Sequence, residues 1–345
     1  SDLVMSALKG ITNLDEKTKK EAKAAEERFL RSYPFHPELT EIFYSKWTNL
    51  EGFQRTRGVL RTFALALRDA EKWDECPIVG PNVFLSDPES DDISEALREL
   101  SSIAAAEVYE GKRQEWEGII QGELSKARSI QIELGGLNFR ESEQGVISTF
   151  LHSQPPGGKA LTSELMVLLG HTRPDKIELE KALKKWADIS WFLDESALRD
   201  MEEGPDGQKM LPKSWRLGSK PNLRQMHNEA VRTKVSPEIV ESLLLDHIGS
   251  NKSLTVGASG SGAKVHNLPQ KPKDIEDDGE FHYAVLGPSA TSESGKPNPN
   301  AKRFLDETTA KDRPRVYRNA VVLAVPSKEG LDIGRDRIRD YVGGE

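Results

Sequence analysis

The chain has 345 residues, with 48 Lys and Arg against 56 Asp and Glu, a formal charge of −8. That balance argues against a generally basic nucleic-acid binder, so any DNA contact has to come from a local patch. A single cysteine, Cys76, excludes an internal disulfide framework, and seven scattered histidines without paired spacing argue against a zinc site.

Length predicts two or three domains, and Ser1-Asp2-Leu3 is neither an initiator Met nor a signal peptide, so a cytoplasmic fragment of something larger is expected. The longest apolar run, Ala320 to Val325, is far too short for a membrane span. Asp15 to Phe29 interleaves Lys and Glu and reads as one charged, mostly wet helix. From Pro37 to Ala70 two helices are expected, parted near Asn49 to Gly52, followed by a turn-rich exit from Pro77 to Pro88. On the second helix, at about 100° per residue, Val59, Leu60, Phe63 and Leu67 share an apolar face, and Arg57, Arg61 and Arg68 form a stripe beside it. Arginine carries a permanent charge and a planar donor fork that suits phosphate, so the stripe reads either as a phosphate sensor or as the solvated flank of an amphipathic helix.

Asp91 to Leu134 is helical by composition, including Ala104 to Ala106, with Trp116, Ile119, Ile120, Leu124 and Ile130 as apolar positions. Between Ser142 and Leu217 three short helices follow. They are Gly145 to His152, then Leu161 to Gly170 with Thr162 as N-cap, then one opened by Pro174 whose inner face carries Ile177, Leu179, Ala182, Leu183 and Trp186. A strand from Ile189 to Leu193, a hairpin signal at Gly204 to Gly207 and a return strand from Ser214 to Leu217 complete the pattern of a winged helix. Its third helix and wing offer Lys176, Lys181, Lys184, Lys185 and Arg216 to a nucleic acid, but Asp175, Glu178, Glu180, Glu202, Glu203 and Asp206 sit among them. DNA binding and protein packing both remain open.

Asn222 to His247 reads as two helices broken at Ser236-Pro237, and Gly249 to Gly262 as a flexible linker. A strand at Phe281 to Leu286, a helix from Ala301, a strand at Ala320 to Val325 and a last helix from Leu331 describe a small α/β unit. Arg313, Arg315 and Arg318 precede its inner strand, as exposed turn charges or as an anion cluster. The expected class is mainly α with α+β parts, divided as 1–90, 91–141, 142–218, 219–262 and 263–345.

The run Tyr33 to Leu39 (Tyr-Pro-Phe-His-Pro-Glu-Leu), with Phe53 to Arg61 (Phe-Gln-Arg-Thr-Arg-Gly-Val-Leu-Arg), resembles the small helical lid of a family of large bacterial AAA+-type ATPases of unknown function. That family is often encoded beside DNA methylases and helicases in phage-defence clusters. Lys213 to Leu223, Pro272 to Pro288 and Arg315 to Pro326 extend the resemblance over nearly the whole chain. It implies a lid at 1–90 and a role for Arg57 or Arg61 in contacting nucleotide phosphates; the segment 91–141, helical by composition, is expected as a layer beside the lid. It also implies ATP and Mg as ligands of the full-length protein, a missing N-terminal ATPase core as partner, and DNA, methylase or helicase as further partners.

No Gly-x-x-x-x-Gly-Lys-Ser/Thr occurs, and the nearest run, Gly257 to Val265, displaces its Lys264 and lacks the hydroxyl that follows. Trp191 to Glu195 imitates an acidic strand end but precedes the glycine run, which is the wrong order for a P-loop enzyme. This chain alone is therefore expected to lack a catalytic site and to bind ATP at best weakly.

Overall fold

The computed structural model describes residues 2–104, 115–194, 210–309 and 312–344, with the backbone of 108–109 and 112–113. It is mainly helical with small sheets, and the chain divides into two compact units, residues 1–226 and 227–345. Among the described residues no helix is long and apolar enough to cross a membrane.

The first unit begins with α1 (Asp2–Leu14), which buries Val4, Ala7, Leu8 and Ile11. A Cβ on its Gly10 would stand 2.1 Å from the Gly170 carbonyl oxygen, so the helix lies against the 170–172 turn as closely as backbones allow. The charged segment expected as one helix is two, α2 (Glu16–Glu21) and α3 (Lys23–Ser32). Ala22, at φ 41° and ψ −103°, breaks it and turns Ala25 and Phe29 into a small core with α1. Next come α4 (Pro37–Ser45), α5 (Arg55–Ala70), α6 (Glu95–Ile103), a short antiparallel pair β1 (Val108–Tyr109) and β2 (Lys112–Arg113), and α7 (Trp116–Gln131).

The segment 141–218 follows as α8 (Glu141–His152), β3 (Ala160–Leu161), α9 (Thr162–Leu169), α10 (Lys176–Ile189) and β4 (Ser214–Trp215). Every residue of α8 is buried, so it is the central rod of the unit. One continuous apolar core runs from Leu39 on α4 to Leu217 after β4, so the elements expected as lid, helical layer and winged module share a single interior. Trp116, Ile119, Ile120, Leu124 and Ile130 of α7 all enter it.

The second unit contains α12 (Pro237–Ser250), entered through Ser236, whose hydroxyl accepts from the Ile239 N–H. The expected Gly249 to Gly262 linker is not one. It holds the end of α12, a 3-10 turn at Lys252–Leu254 and a short helix α13 (Val256–Gly260). α11 (Leu223–Lys234) has no buried residue. β5 (Lys264–Asn267), β6 (His282–Val285) and β7 (Val321–Ala324) form a parallel sheet in that order, with α14 (Pro299–Asp306) between β6 and β7 and α15 (Lys328–Gly344) last. β5 is polar and exposed at its ends, so it carries no apolar signal in the sequence. Two small clusters hold the unit, one around Ile275, Ala284, Leu286 and Phe304, the other joining Val240 and Leu244 of α12 to Leu331 and Ile338 of α15.

Candidate functional site

The turn that opens α5 is anchored from inside. Phe53 is buried and packs on Phe43 and Trp47, with ring centroids 6.0 and 5.7 Å away. A Cβ at position 58 would stand 1.6 Å from the Phe53 carbonyl oxygen, so Gly58 alone fits the start of the helix. Gln54 and Arg55 hold left-handed backbone at φ 57° and 50°, and the N-cap residue Gln54 gives no side-chain cap. The first turn of α5 thus carries Arg55 and Arg57 and no acid. Unsatisfied N–H groups make a helix start electropositive and acids are the usual residues there, so two arginines add to the positive charge at that end.

The arginine stripe divides. Arg61 Nε lies 2.8 Å from Glu99, and Arg68 lies 2.6 Å from Glu95 and 2.9 Å from Asp69, both glutamates belonging to α6. Arg57 is exposed and has no ion pair among the described residues. Leu60, expected on the apolar face, is 68% exposed, because the inner face of α5 is set by Val59, Thr62, Phe63 and Ala66. Arg55 is the residue that periodicity passed over: it lies inside the quoted run but off the stripe.

In the 141–218 segment β3 pairs antiparallel with β4, Ala160 opposite Trp215 and Leu161 opposite Ser214. Leu193 bridges Leu217, with the Asp194 N–H donating to the Arg216 carbonyl at 2.9 Å and the Gly218 N–H to Phe192 at 2.8 Å. The expected strand at 189–193 does not form: Ile189 ends α10, and of the rest only Leu193 makes an isolated bridge. Thr162 does not cap α9. Its hydroxyl donates to the Pro212 carbonyl and accepts the Trp215 indole N–H at 2.9 Å. Trp215 stacks on Trp186 of α10 at 5.6 Å and 7°. The fully buried Glu123 of α7 accepts the Trp186 indole N–H at 2.7 Å and the Trp191 amide at 3.1 Å, and sits 3.3 Å from the Lys126 ammonium. A carboxylate so deep needs these donors to offset its desolvation.

Lys176 and Lys181 are exposed on α10, Lys184 and Lys185 are half-buried. Lys185 pairs with Glu133, and Arg216 pairs with Asp194 at 3.4 Å. The structure therefore leaves Lys176, Lys181 and Lys184 without an ion pair among the described residues and commits the other two. Ile177, expected on the inner face, is 76% exposed, because Asp175 caps α10 and shifts the buried stripe to Leu179, Ala182, Leu183 and Trp186. The Gly204 to Gly207 hairpin signal lies outside the described residues, as do Lys209, Ala105 and Ala106 and the acids Glu195, Glu202, Glu203 and Asp206.

Gly257 to Gly262 leads into a strand rather than from a strand into a helix, and Lys264 is the first residue of β5. Its ammonium is held by Asp278 at 2.6 Å, Glu276 at 3.2 Å and Glu280 at 3.4 Å, which leaves it no role toward phosphate. Among the described residues no three His, Cys, Asp or Glu side chains are grouped as a metal ion would gather them. Arg315, grouped from the sequence with Arg313 and Arg318, is buried, and its guanidinium is spent on the carbonyls of Pro272, Ile275, Glu276, Phe304 and Glu307. Arg318 lies 3.4 Å from Asp306, so the three do not form one cluster. Comparison with protein-family models, with curated proteins and with solved structures finds no match.

Proposed function

We propose that the chain is the lid-bearing C-terminal part of a cytoplasmic AAA+-type ATPase that senses nucleotide through the start of α5. The observation that carries this reading is Arg57, without an ion pair among the described residues, beside Arg55 on an uncapped helix start without acids, while Arg61 and Arg68 are held by α6. Of the two candidates, Arg57 takes the phosphate and Arg61 braces the helix that presents it. The nucleotide and its magnesium are seated by an ATPase core outside this chain, and the lid supplies a cation to the developing phosphate charge.

The test is turnover by the full-length protein. Arg57→Ala should lower it on the order of a hundredfold, as loss of a preorganised donor does. Arg61→Ala should lower it far less. Equal turnover in Arg57→Ala and wild type removes the assignment. Calorimetry of this chain alone with Mg-ATP should show no tight binding and no hydrolysis.

The 141–218 segment we read as a winged helix, supported by its order of helix, strand, helix, helix, a single bridging residue at Leu193 and a strand, with the first strand paired to the last. Its commitment of Lys185 and Arg216 to carboxylates, and the exposed Ile177, favour docking on protein over duplex DNA. We infer a DNA-linked, phage-defence setting with methylase or helicase partners from the family resemblance. A mobility shift with duplex DNA that vanishes in Lys176→Glu/Lys181→Glu/Lys184→Glu would reverse the preference for protein.

A further inference from the structure

The second unit holds a cavity of about 420 Å³ whose wall is cationic. It opens beyond the carboxyl ends of β5 and β6. Lys271 and Lys273 come from the segment after β5, Ser289 from the turn after β6, and Asn300 and Arg303 from α14. Among the described residues that line it there is no carboxylate. The ammonium groups of Lys271 and Lys273 have no ion pair among the described residues, in contrast to Lys264 with its three acids. Arg303 meets Glu307 at 3.2 Å through Nε, which leaves the ends of its fork open.

The lysine-bearing segment is fixed in place. Asp274 accepts the backbone N–H groups of Gln270 and Lys271 at 2.9 and 2.8 Å. Arg315 then donates to Pro272, Ile275 and Glu276 on that segment, at 3.0, 3.1 and 2.9 Å, and to Phe304 of α14 at 3.2 Å. One buried guanidinium therefore clamps both walls and sets the gap between them. A preset gap spares a ligand the ordering that a loose loop would require.

In open sheets of parallel strands, ligands sit in the crevice outside the carboxyl ends. Two lysines without an ion pair among the described residues, with the open fork of Arg303, around a cavity of small-molecule size select a doubly charged phosphate. We propose that this cavity binds a small phosphate monoester of mononucleotide size, with the phosphate between Lys271, Lys273 and Arg303 and the polar body of the ligand against Asn300 and Ser289. The site is built from residues of the second unit alone and does not depend on the ATPase reading.

Calorimetric titration of the whole chain with AMP and with ribose 5-phosphate, and with adenosine as the uncharged control, tests it. At least one of the two phosphates should give a saturable heat and adenosine none. Lys271→Gln/Lys273→Gln should weaken that binding by roughly tenfold or more, since two charge-assisted contacts are lost. Both lysines are exposed, so the melting temperature should not move. Should the pair misfold, Arg303→Gln on the opposite wall makes the same comparison. The proposal is overturned if neither phosphate binds, if only a 5′-phosphorylated oligonucleotide binds, or if affinity is unchanged in the lysine variant, including the case where Arg57→Ala abolishes it instead.

Discussion

The two units are held together by different means. In the first, Phe43, Trp47, Phe53, Phe84, Phe150, Trp186 and Trp215 belong to one continuous interior, and polar groups such as Glu123 are satisfied inside it. In the second, two small apolar clusters do part of the work and a single arginine gathers the loops by their carbonyls. A thick aromatic core can lose one side chain and still present its surface turns, as at Arg57. A thin unit whose candidate site is spaced by one guanidinium has no such reserve.

The largest expected effect is in the first unit. Trp215→Ala removes the stack on Trp186 and the bond to Thr162, and should destabilise that unit by about 4 kcal/mol, the usual range for a large aromatic deleted from a core. Urea denaturation followed by tryptophan fluorescence would measure it, and a loss under half that size would mean the cavity collapses.

Arg315→Met should cost about 3 kcal/mol, because several buried carbonyls lose their donor together. Hydrogen exchange resolved by peptide should show the loss at 270–276 and 299–307 with the first unit protected. Faster exchange through 37–70 as well would refute the contrast between the units.

Acid should separate them a third way. His36 Nδ1 accepts from the Glu38 N–H, and burial, with His171 nearby, holds its pKa well below the ordinary 6.5. His152 Nδ1 accepts from the Lys46 ammonium at 2.9 Å, and burial followed by that charge pushes it down to about 3. Both bind protons more weakly folded than unfolded. Their contribution is complete above pH 6.5 and drains as pH falls below it, His152 alone losing roughly 1–3 kcal/mol at pH 4.5. In the second unit Lys264, then His282, hold Asp278 far below the ordinary 3.8, so that contribution persists to about pH 4 and is lost only below. His266, lowered by burial and by His282 but partly exposed, adds a smaller loss in the higher range. Melting curves from pH 7 to 4 should therefore soften the first unit before the second, and simultaneous melting would contradict it.

The smallest effect sharpens the site itself. Glu99→Gln frees Arg61 at an exposed pair, and should change stability by under about 1 kcal/mol. If turnover in the full-length protein rises with a second free arginine, the division of labour between Arg57 and Arg61 needs revision.

Much of the first unit was legible because helical spacing reports burial where a helix has one broad inner face. The apolar residues of α7 and α10 were read in this way, apart from Ile177. Leu60 and Ile177 failed because a helical wheel gives a direction and not a neighbour. α1 went unread, and the break at Ala22 is invisible to composition. β3 is two residues long, too short for any alternation to register. β5 hid behind a Gly- and Ser-rich run and is itself polar. At the candidate sites, Arg57 was visible as charge on a stripe, but its difference from Arg61 depends on Glu99, far along the chain. Arg315 shows the limit most clearly, since nothing in Arg-Val-Tyr-Arg tells a buried arginine from an exposed one.

The parallel sheet has a consequence for how the chain is made. Helices such as α4 and α5 close over neighbouring residues, but β5 waits for its partner until His282 is present, and β6 waits for Val321. Long loops must be closed before such pairings form, so sheet formation is slow compared with local helices. On the ribosome the first unit can be complete while β5 and β6 are still without a third strand. The backbone N–H and C=O groups along one edge of β6 then remain open for pairing until Val321 to Ala324 have emerged, and this is the stage at which the nascent chain is most exposed to wrong partners.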